Sequence, residues 1–350
     1  MSKQEKIKKF DPNSVADKNM GIFGLPFSVD EAEVIVLPVP WDATVSYRAG
    51  TSKGPAAIFE ASFQVDLYDP EIKDVWKLGI AMDEIPKDLI KKNNALRKKS
   101  AHYIAALEKG KNAGTPVLKK ICAEINSASA ELNRYVNQKS LSFLNRSKLV
   151  ALIGGEHSTP LGLMQALAEK HSSFAILQID AHADLRDAYE GFGFSHASIM
   201  FNALKIPQVK KLVQVGIRDY CEEEANIIKR SNGRVKTFFD REIKHREYEG
   251  TSWAGIVTDI VSELPEHVYI SFDIDGLDPK LCPNTGTPVA GGFEFEQAVY
   301  LVEKVVESGK KIISLDINEV TPGKDEWDAN VGARLLYKMV NLMAKSNGKI

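Results

Sequence analysis

Three ionisable residues stand at alternate positions in "LQIDAHADLRDAYEGFGFSH" (Leu177 to His196): Asp180, His182 and Asp184. They follow "FAILQI" (Phe174 to Ile179), an apolar run that reads as a buried strand. Burying such groups at a strand end costs several kcal/mol each, of the order of 2–7, unless something compensates. A second apolar run, in "VYISFDIDGLDP", ends in Asp273 and Asp275, and a third, in "IGGEHS", ends with His157 just beyond Gly154 and Gly155. Four clustered carboxylates, with a combined charge of about −4, repel one another and force protonation. Two divalent cations neutralise that charge, and imidazole with carboxylate suits Mn²⁺, Fe²⁺, Co²⁺, Ni²⁺ or Zn²⁺. With no thiolate nearby, a structural zinc site is disfavoured. Each motif alone has an ordinary reading, as a solvated turn or a helix start. Three in series at successive strand ends leave that reading little room.

The elements that must position these residues follow from periodicity. Strands are expected at Ala32–Pro40, Lys148–Gly155, Phe174–Asp180, Lys211–Ile217, Arg234–Phe239, His267–Asp275 and Lys311–Val320. Helix-like segments separate them, among them "TPLGLMQALAEKH", "FEQAVYLVEKVVESG" and "ANVGARLLYKMVNLMA". Wholly apolar strands alternating with helices predict an α/β fold, a three-layer α/β/α sandwich with a mainly parallel central sheet. In such a sheet, sites form outside the carboxyl ends of the strands, where all six residues fall. Residues 89–146 break the alternation: they are polar and lysine-rich, with Val117, Ile121, Ile125, Leu132 and Val136 at helical spacing and a break at "GKNAGTP". Two helices are expected there, packed on the sheet's edge or on another subunit, or serving as a lid. The chain is therefore read as a single domain over 1–350, with an N-terminal extension over 1–30 and a helical insertion over 89–146.

Composition excludes several classes. A formal net charge of −2 gives no footprint for nucleic acid or an anionic membrane. No apolar run approaches the ~20 residues that span a bilayer, and "MSKQEKIKKFD" has no signal-peptide character. Cys122, Cys221 and Cys282 are too widely spaced for a thiolate metal site or a disulfide framework, so a reducing cytoplasm is expected.

As an ordered set, "GGEHS", "DAHADLRDAYEGFGFSHAS", "SFDIDGLDP" with "TGTPVAGGF", and "SLDINEVTP" resemble the signature motifs of the ureohydrolase (arginase/agmatinase) superfamily. The segment "PVPWDATVSYRAGTSKGPAAI" (Pro38 to Ile58) is similar to that family's N-terminal loop, and the likeness covers about Glu33–Leu78 and Val150–Lys345. The resemblance implies an arginase-like fold and two Mn²⁺ per chain, with Ni²⁺ or Co²⁺ as alternatives. One ion would be held by His157, Asp180, Asp184 and Asp273, the other by His182, Asp180, Asp273 and Asp275. It further implies His196 as the proton-shuttling residue, Glu319 as the carboxylate that pairs with a guanidinium, and a homo-oligomer, trimer or hexamer. Two metals at such a spacing acidify a shared water to near neutrality, which supplies a nucleophile for the poorly electrophilic guanidinium carbon.

The loops around Tyr189, Gly191 and Ser195 resemble agmatinases more than arginases, which makes agmatine, yielding putrescine and urea, the expected substrate. Trp327 and Thr44 depart from the expected loop text and are candidate pocket residues. They leave free guanidine or a guanidino acid such as guanidinobutyrate or guanidinopropionate as the alternative, ahead of arginase or formiminoglutamase activity. A one-metal deacetylase, a two-metal phosphoesterase and an inactive binding homologue are the competing classes; no phosphate cradle is evident in the sequence.

Overall fold

The computed structural model describes all 350 residues. The eight strands are β1 (Val34–Val39), β2 (Ile80–Met82), β3 (Leu149–Gly154), β4 (Phe174–Ile179), β5 (Val209–Ile217), β6 (Val235–Phe239), β7 (His267–Asp273) and β8 (Lys311–Asn318). They form one sheet in the order β2-β1-β3-β8-β7-β4-β5-β6. Every pairing is parallel. Seven strands are those expected from the sequence. The eighth, β2, is a three-residue edge strand, too short for any period to reveal it. Every residue of β1 and β4 is buried, as required of strands covered on both faces.

The connections carry α1 (Lys3–Lys9), α2 (Gly54–Ser62), α3 (Lys87–Glu108), α4 (Pro116–Leu144), α5 (Leu161–Ala168), α6 (Ile199–Ala203) and α7 (Glu222–Arg230). They continue with α8 (Asp240–Tyr248), α9 (Trp253–Ser262), α10 (Phe295–Glu307) and α11 (Trp327–Ser346). Crossovers from β2 to β3, β3 to β4, β4 to β5 and β5 to β6 all step toward the β6 edge, and they contain α3 to α7. Those from β1 to β2, β6 to β7 and β7 to β8 step back, with α2, α8, α9 and α10. Right-handed crossovers of opposite direction place their helices on opposite faces, which gives the three layers. Packing agrees: α4 lies against α3 and α5, whereas α11 lies against α2 and α10.

The stretch read as a helical insertion is the α3–α4 hairpin, broken where Gly110 takes a φ of +72° and Pro116 opens α4. It covers β1 and β3 on a sheet face, with β2 lying beyond them at the edge. Ile125, Leu132 and Val136 face the core as expected, but Val117 is 65% exposed. Leu118 points inward in its place, since 118, 125 and 132 lie two turns apart on one line. At the N-terminus α1 is held by a Ser2/Glu5 capping box and by the Lys6–Glu31 ion pair at 2.7 Å. No helix is long and apolar enough to cross a membrane.

Candidate active site

The four adjacent central strands, β3, β8, β7 and β4, deliver the site at their carboxyl ends. Gly154 and Gly155 end β3 without left-handed backbone. They are small because a Cβ on Gly155 would stand 2.0 Å from the Trp41 carbonyl, and one on Gly154 would stand 1.8 Å from Asn318 Oδ1. The chain can then fold His157 directly over the sheet end. β4 stops at Ile179, so Asp180, His182 and Asp184 lie beyond its pleat. Their fan comes from irregular backbone, with Asp184 held at a φ of +54°.

The six expected ligands meet. His157 Nδ1 lies 3.0 Å from Asp180 Oδ2, 3.0 Å from Asp184 Oδ2 and 3.3 Å from Asp273 Oδ2. His182 Nδ1 lies 3.0 Å from Asp275 Oδ2 and 3.7 Å from Asp180 Oδ1. The ligand atoms of His157, Asp180 and Asp273 fall within 4.8 Å of one another, as do those of Asp180, His182 and Asp275, so Asp180 belongs to both groups.

Two observations test whether metals fit. His157 Nδ1 is buried and makes no hydrogen bond, although three carboxylate oxygens face it. Its other ring nitrogen is committed: Nε2 is 2.9 Å from Ser271 Oγ, whose hydroxyl donates to Asp316 Oδ1 at 3.2 Å. Ser271 therefore accepts from Nε2–H, which turns Nδ1 toward the carboxylates as the nitrogen that would meet a metal. Secondly, the charge balance is unsatisfied without cations. Burial pulls the His157 imidazole down, and the facing carboxylates overcome it and hold its pKa well above the ordinary value. Burial and the Asp275 and Asp180 charges push Asp273 well above the carboxylate range, and burial with the Asp180 charge takes Asp184 to about 7. A pair of divalent ions relieves all of these strains together.

Residues behind the cage orient it. Gln178 Nε2 donates to Asp180 Oδ2 at 2.8 Å and is itself braced by Gln214, which donates to Gln178 Oε1 at 2.7 Å. Tyr269 and Asn318 both donate to the buried Asp316 carboxylate. Glu156 accepts from the Thr44 backbone at 2.9 Å, from the Thr44 hydroxyl at 2.8 Å and from Ser158 at 2.7 Å. Gln178, Ser271 and Asp316 are not among the residues expected from the sequence, yet a signal was present. Gln178 and Ser271 sit two residues before the strand-end carboxylates Asp180 and Asp273, and Asp316 sits two before Asn318 at the end of β8. A polar residue at that position in an apolar strand faces the same side.

Glu319 follows β8 with a φ of +65°. Its Oε1 accepts from His157 N–H at 2.8 Å. No cationic side chain pairs with it, and burial, with the Glu156 and Asp275 charges, raises its carboxyl well above the usual range. Such a carboxylate suits an incoming cation. His196 opens the turn His196–Ser198, its ring edge-on to Tyr189 at 6.0 Å and its Nδ1 buried without a partner. Burial and the positive charges of His182, His157 and Arg97 lower its pKa to about 3. His182, Asp184, Tyr189 and His196 line a cavity of about 150 Å³ together with Ser46, Asp219 and Thr287. The two expected pocket residues lie outside that lining. Trp327 is 46% exposed at the start of α11, its Nε1 donating to the Lys280 carbonyl at 3.0 Å, and Thr44 is buried on Glu156.

Comparison with known proteins then decides the lineage. The profile of the Arginase family matches residues 32–341. This chain belongs to the arginase family. It shares that family's hydrolase chemistry on guanidino C–N bonds. The N(1)-aminopropylagmatine ureohydrolase of Thermus thermophilus is 31% identical over 320 residues, 91% of this chain and 93% of that protein. An agmatinase of Pyrococcus horikoshii is 28% identical over 321 residues, 91% and 94% of the two chains. Among solved structures, the agmatine ureohydrolase of Thermoplasma volcanium superposes with a TM-score of 0.69 at 21% identity, covering 99% of each chain, a likeness of fold.

Proposed function

We propose that this arginase-family chain hydrolyses an agmatine-type guanidine to urea and an amine, with agmatine to putrescine as the first choice. The observation that carries this reading is the pair of histidine–carboxylate clusters sharing Asp180, with the cation-free carboxylate of Glu319 bonded to the His157 backbone. His157, Asp180, Asp184 and Asp273 would hold one Mn²⁺ and His182, Asp180, Asp273 and Asp275 the other, Asp180 and Asp273 bridging. When bound, the metal pair supplies a water acidic enough to serve as nucleophile near neutral pH.

The chain's own groups do the rest. Glu319 pairs with the guanidinium and aims its carbon across the cluster, a charge-assisted contact to a buried carboxylate. The same pairing gives the buried carboxylate a counter-charge, which offsets the desolvation that raises its pKa. His196, whose buried Nδ1 has no partner within the chain, hands a proton to the departing amine. The whole chain acts as one catalytic domain in a cytoplasmic homo-oligomer, a setting that three unpaired cysteines suit.

A second reading, N(1)-aminopropylagmatine, has a specific observation behind it. The relatives of that name reach 30–33% identity, against 26–28% for the agmatinases. The deciding measurement is urea release from agmatine, N(1)-aminopropylagmatine, arginine, guanidine, guanidinobutyrate and guanidinopropionate, each with Mn²⁺, Ni²⁺ and Co²⁺. The two agmatine-type compounds should turn over fastest. Preference for arginine overturns the reading, and silence on every compound favours a binding homologue.

A further inference from the structure

Resting on the reading of His196 as the proton carrier, we propose that Asn126, on α4, is a positioning residue that sets where His196 stands. The loop that delivers His196 has almost no regular structure of its own, only the Tyr189/Phe192 bridge. Its tip is a tight turn, Glu190 at a φ of +53° and Gly191 at +81°. The α3–α4 hairpin grips this tip. Asn126 Nδ2 donates to the Gly191 carbonyl at 2.9 Å, and Asn126 Oδ1 accepts from Gly193 N–H at 2.9 Å. One amide thus spans the peptide groups on either side of Phe192. That ring is buried and packs on Tyr103 of α3, with centroids 5.3 Å apart. Cys122 Sγ donates to the same Gly191 carbonyl at 3.2 Å. A Cβ at Gly191 would meet Tyr103 Oη at 3.0 Å and Cys122 Sγ at 3.1 Å, so only glycine brings the tip this close to both helices.

The grip passes on to His196. Asn202 of α6 donates to the Gly193 carbonyl at 2.8 Å and to the Ser198 carbonyl at 3.0 Å, tying the clamped tip to the turn that His196 begins. An amide suits the place because it donates and accepts at once. A carboxylate there would repel the Gly191 carbonyl, and an apolar side chain would leave the Gly193 N–H unpaired and the Gly191 carbonyl with only the Cys122 thiol. The hairpin repeats the device on α3. Asn93 Nδ2 donates to Asp42 Oδ1 at 2.8 Å and its Oδ1 accepts from Asp42 N–H at 2.8 Å, holding the loop whose Thr44 braces Glu156.

The test compares Asn126→Ala and Asn126→Ser with wild type and with Asn137→Ala, a control whose amide reaches only an exposed Glu169 oxygen at 3.4 Å. In the Mn²⁺-loaded enzyme, Asn126→Ala should lower kcat by about 10- to 100-fold, the scale of a misplaced catalytic group, and leave KM and metal content unchanged. Asn126→Ser should fall between, and Asn137→Ala should match wild type. Amide exchange at Gly193 and Phe194 should accelerate in Asn126→Ala. The kcat loss should also vanish in a His196→Ala background, because a group acting only through His196 has nothing left to position. Unchanged kcat, or an equal loss in the His196→Ala background, overturns the proposal. If His196→Ala is itself fully active, the role given to His196 fails, while exchange at Gly193 still reports whether the clamp exists.

Discussion

The two halves of the cage differ in what surrounds them. Around His157 everything is buried: the imidazole is 1% exposed and its facing carboxylates, Asp180, Asp184 and Asp273, lie between 0% and 6%. The His182 side chain is 23% exposed and borders the cavity. The closed half is braced from behind by Ser271 and Asp316, whereas the open half leans on backbone, with Ala181 N–H donating to Asp275 Oδ1 at 3.0 Å and His182 N–H to Asp180 Oδ1 at 2.7 Å. Removing a group from a closed site leaves uncompensated buried charge, and removing one from an open site admits water. We propose that the closed half is the anchor and the open half the working face.

The sharpest way to break this contrast is Asp273→Ala. It should eliminate metal binding and lower urea release by at least about a thousandfold, because the nucleophile depends on the metal pair. Metal analysis and a turnover assay check it together, and full activity in the metal-depleted variant would end the assignment. Next in size is the difference between two histidine variants. His182→Ala should leave one ion per chain and weaken the other by more than the ~10- to 100-fold seen when only a ligand's hydrogen-bond partner is lost. His157→Ala should lose both ions and lower the melting temperature as well. Titration calorimetry that finds the two variants equivalent would erase the distinction between the halves.

The smallest expected effect concerns Glu156, beside the closed half. Burial raises its carboxyl from 4.5 to about 7, against the hydrogen bonds from Ser158 and Thr44. The folded chain therefore binds a proton that the unfolded chain has released. Stability from this group is full below about pH 4.5 and is lost as pH rises toward 7, on the order of 3 kcal/mol over the window. Glu156→Gln, which keeps an acceptor for Thr44 N–H and donates to the Thr44 and Ser158 hydroxyls, should remove that slope. Melting temperatures of the metal-free proteins across pH 4.5–8 would show it, and parallel curves for variant and wild type would contradict it.

Legibility in the sequence followed the range of the interaction. Asp180, Asp273 and His157 could be read because a carboxylate or imidazole closing an apolar strand is costly whatever surrounds it. Seven strands were readable for the same local reason, and β2 was not, because its place depends on pairing with β1. Val117 and Leu118 are adjacent, and only the packing of α4 on the sheet decides which turns inward. Trp327 and Thr44 read as candidate pocket residues from loop text alone, which names no partner. Their side chains bond the Lys280 carbonyl and Glu156, far off in sequence.

Residue types and short periods thus suffice for the chemistry of the candidate ligands, the α/β alternation and the lineage. Which carboxylates face which histidine, which ring nitrogen lacks a partner, and the clasp of a remote hairpin on the loop ahead of His196 come from the folded chain alone. Those depend on hydrogen bonds that span 65 to 114 residues, such as Asn126 to Gly191 and His157 to Ser271, and no local pattern encodes a partner at that distance.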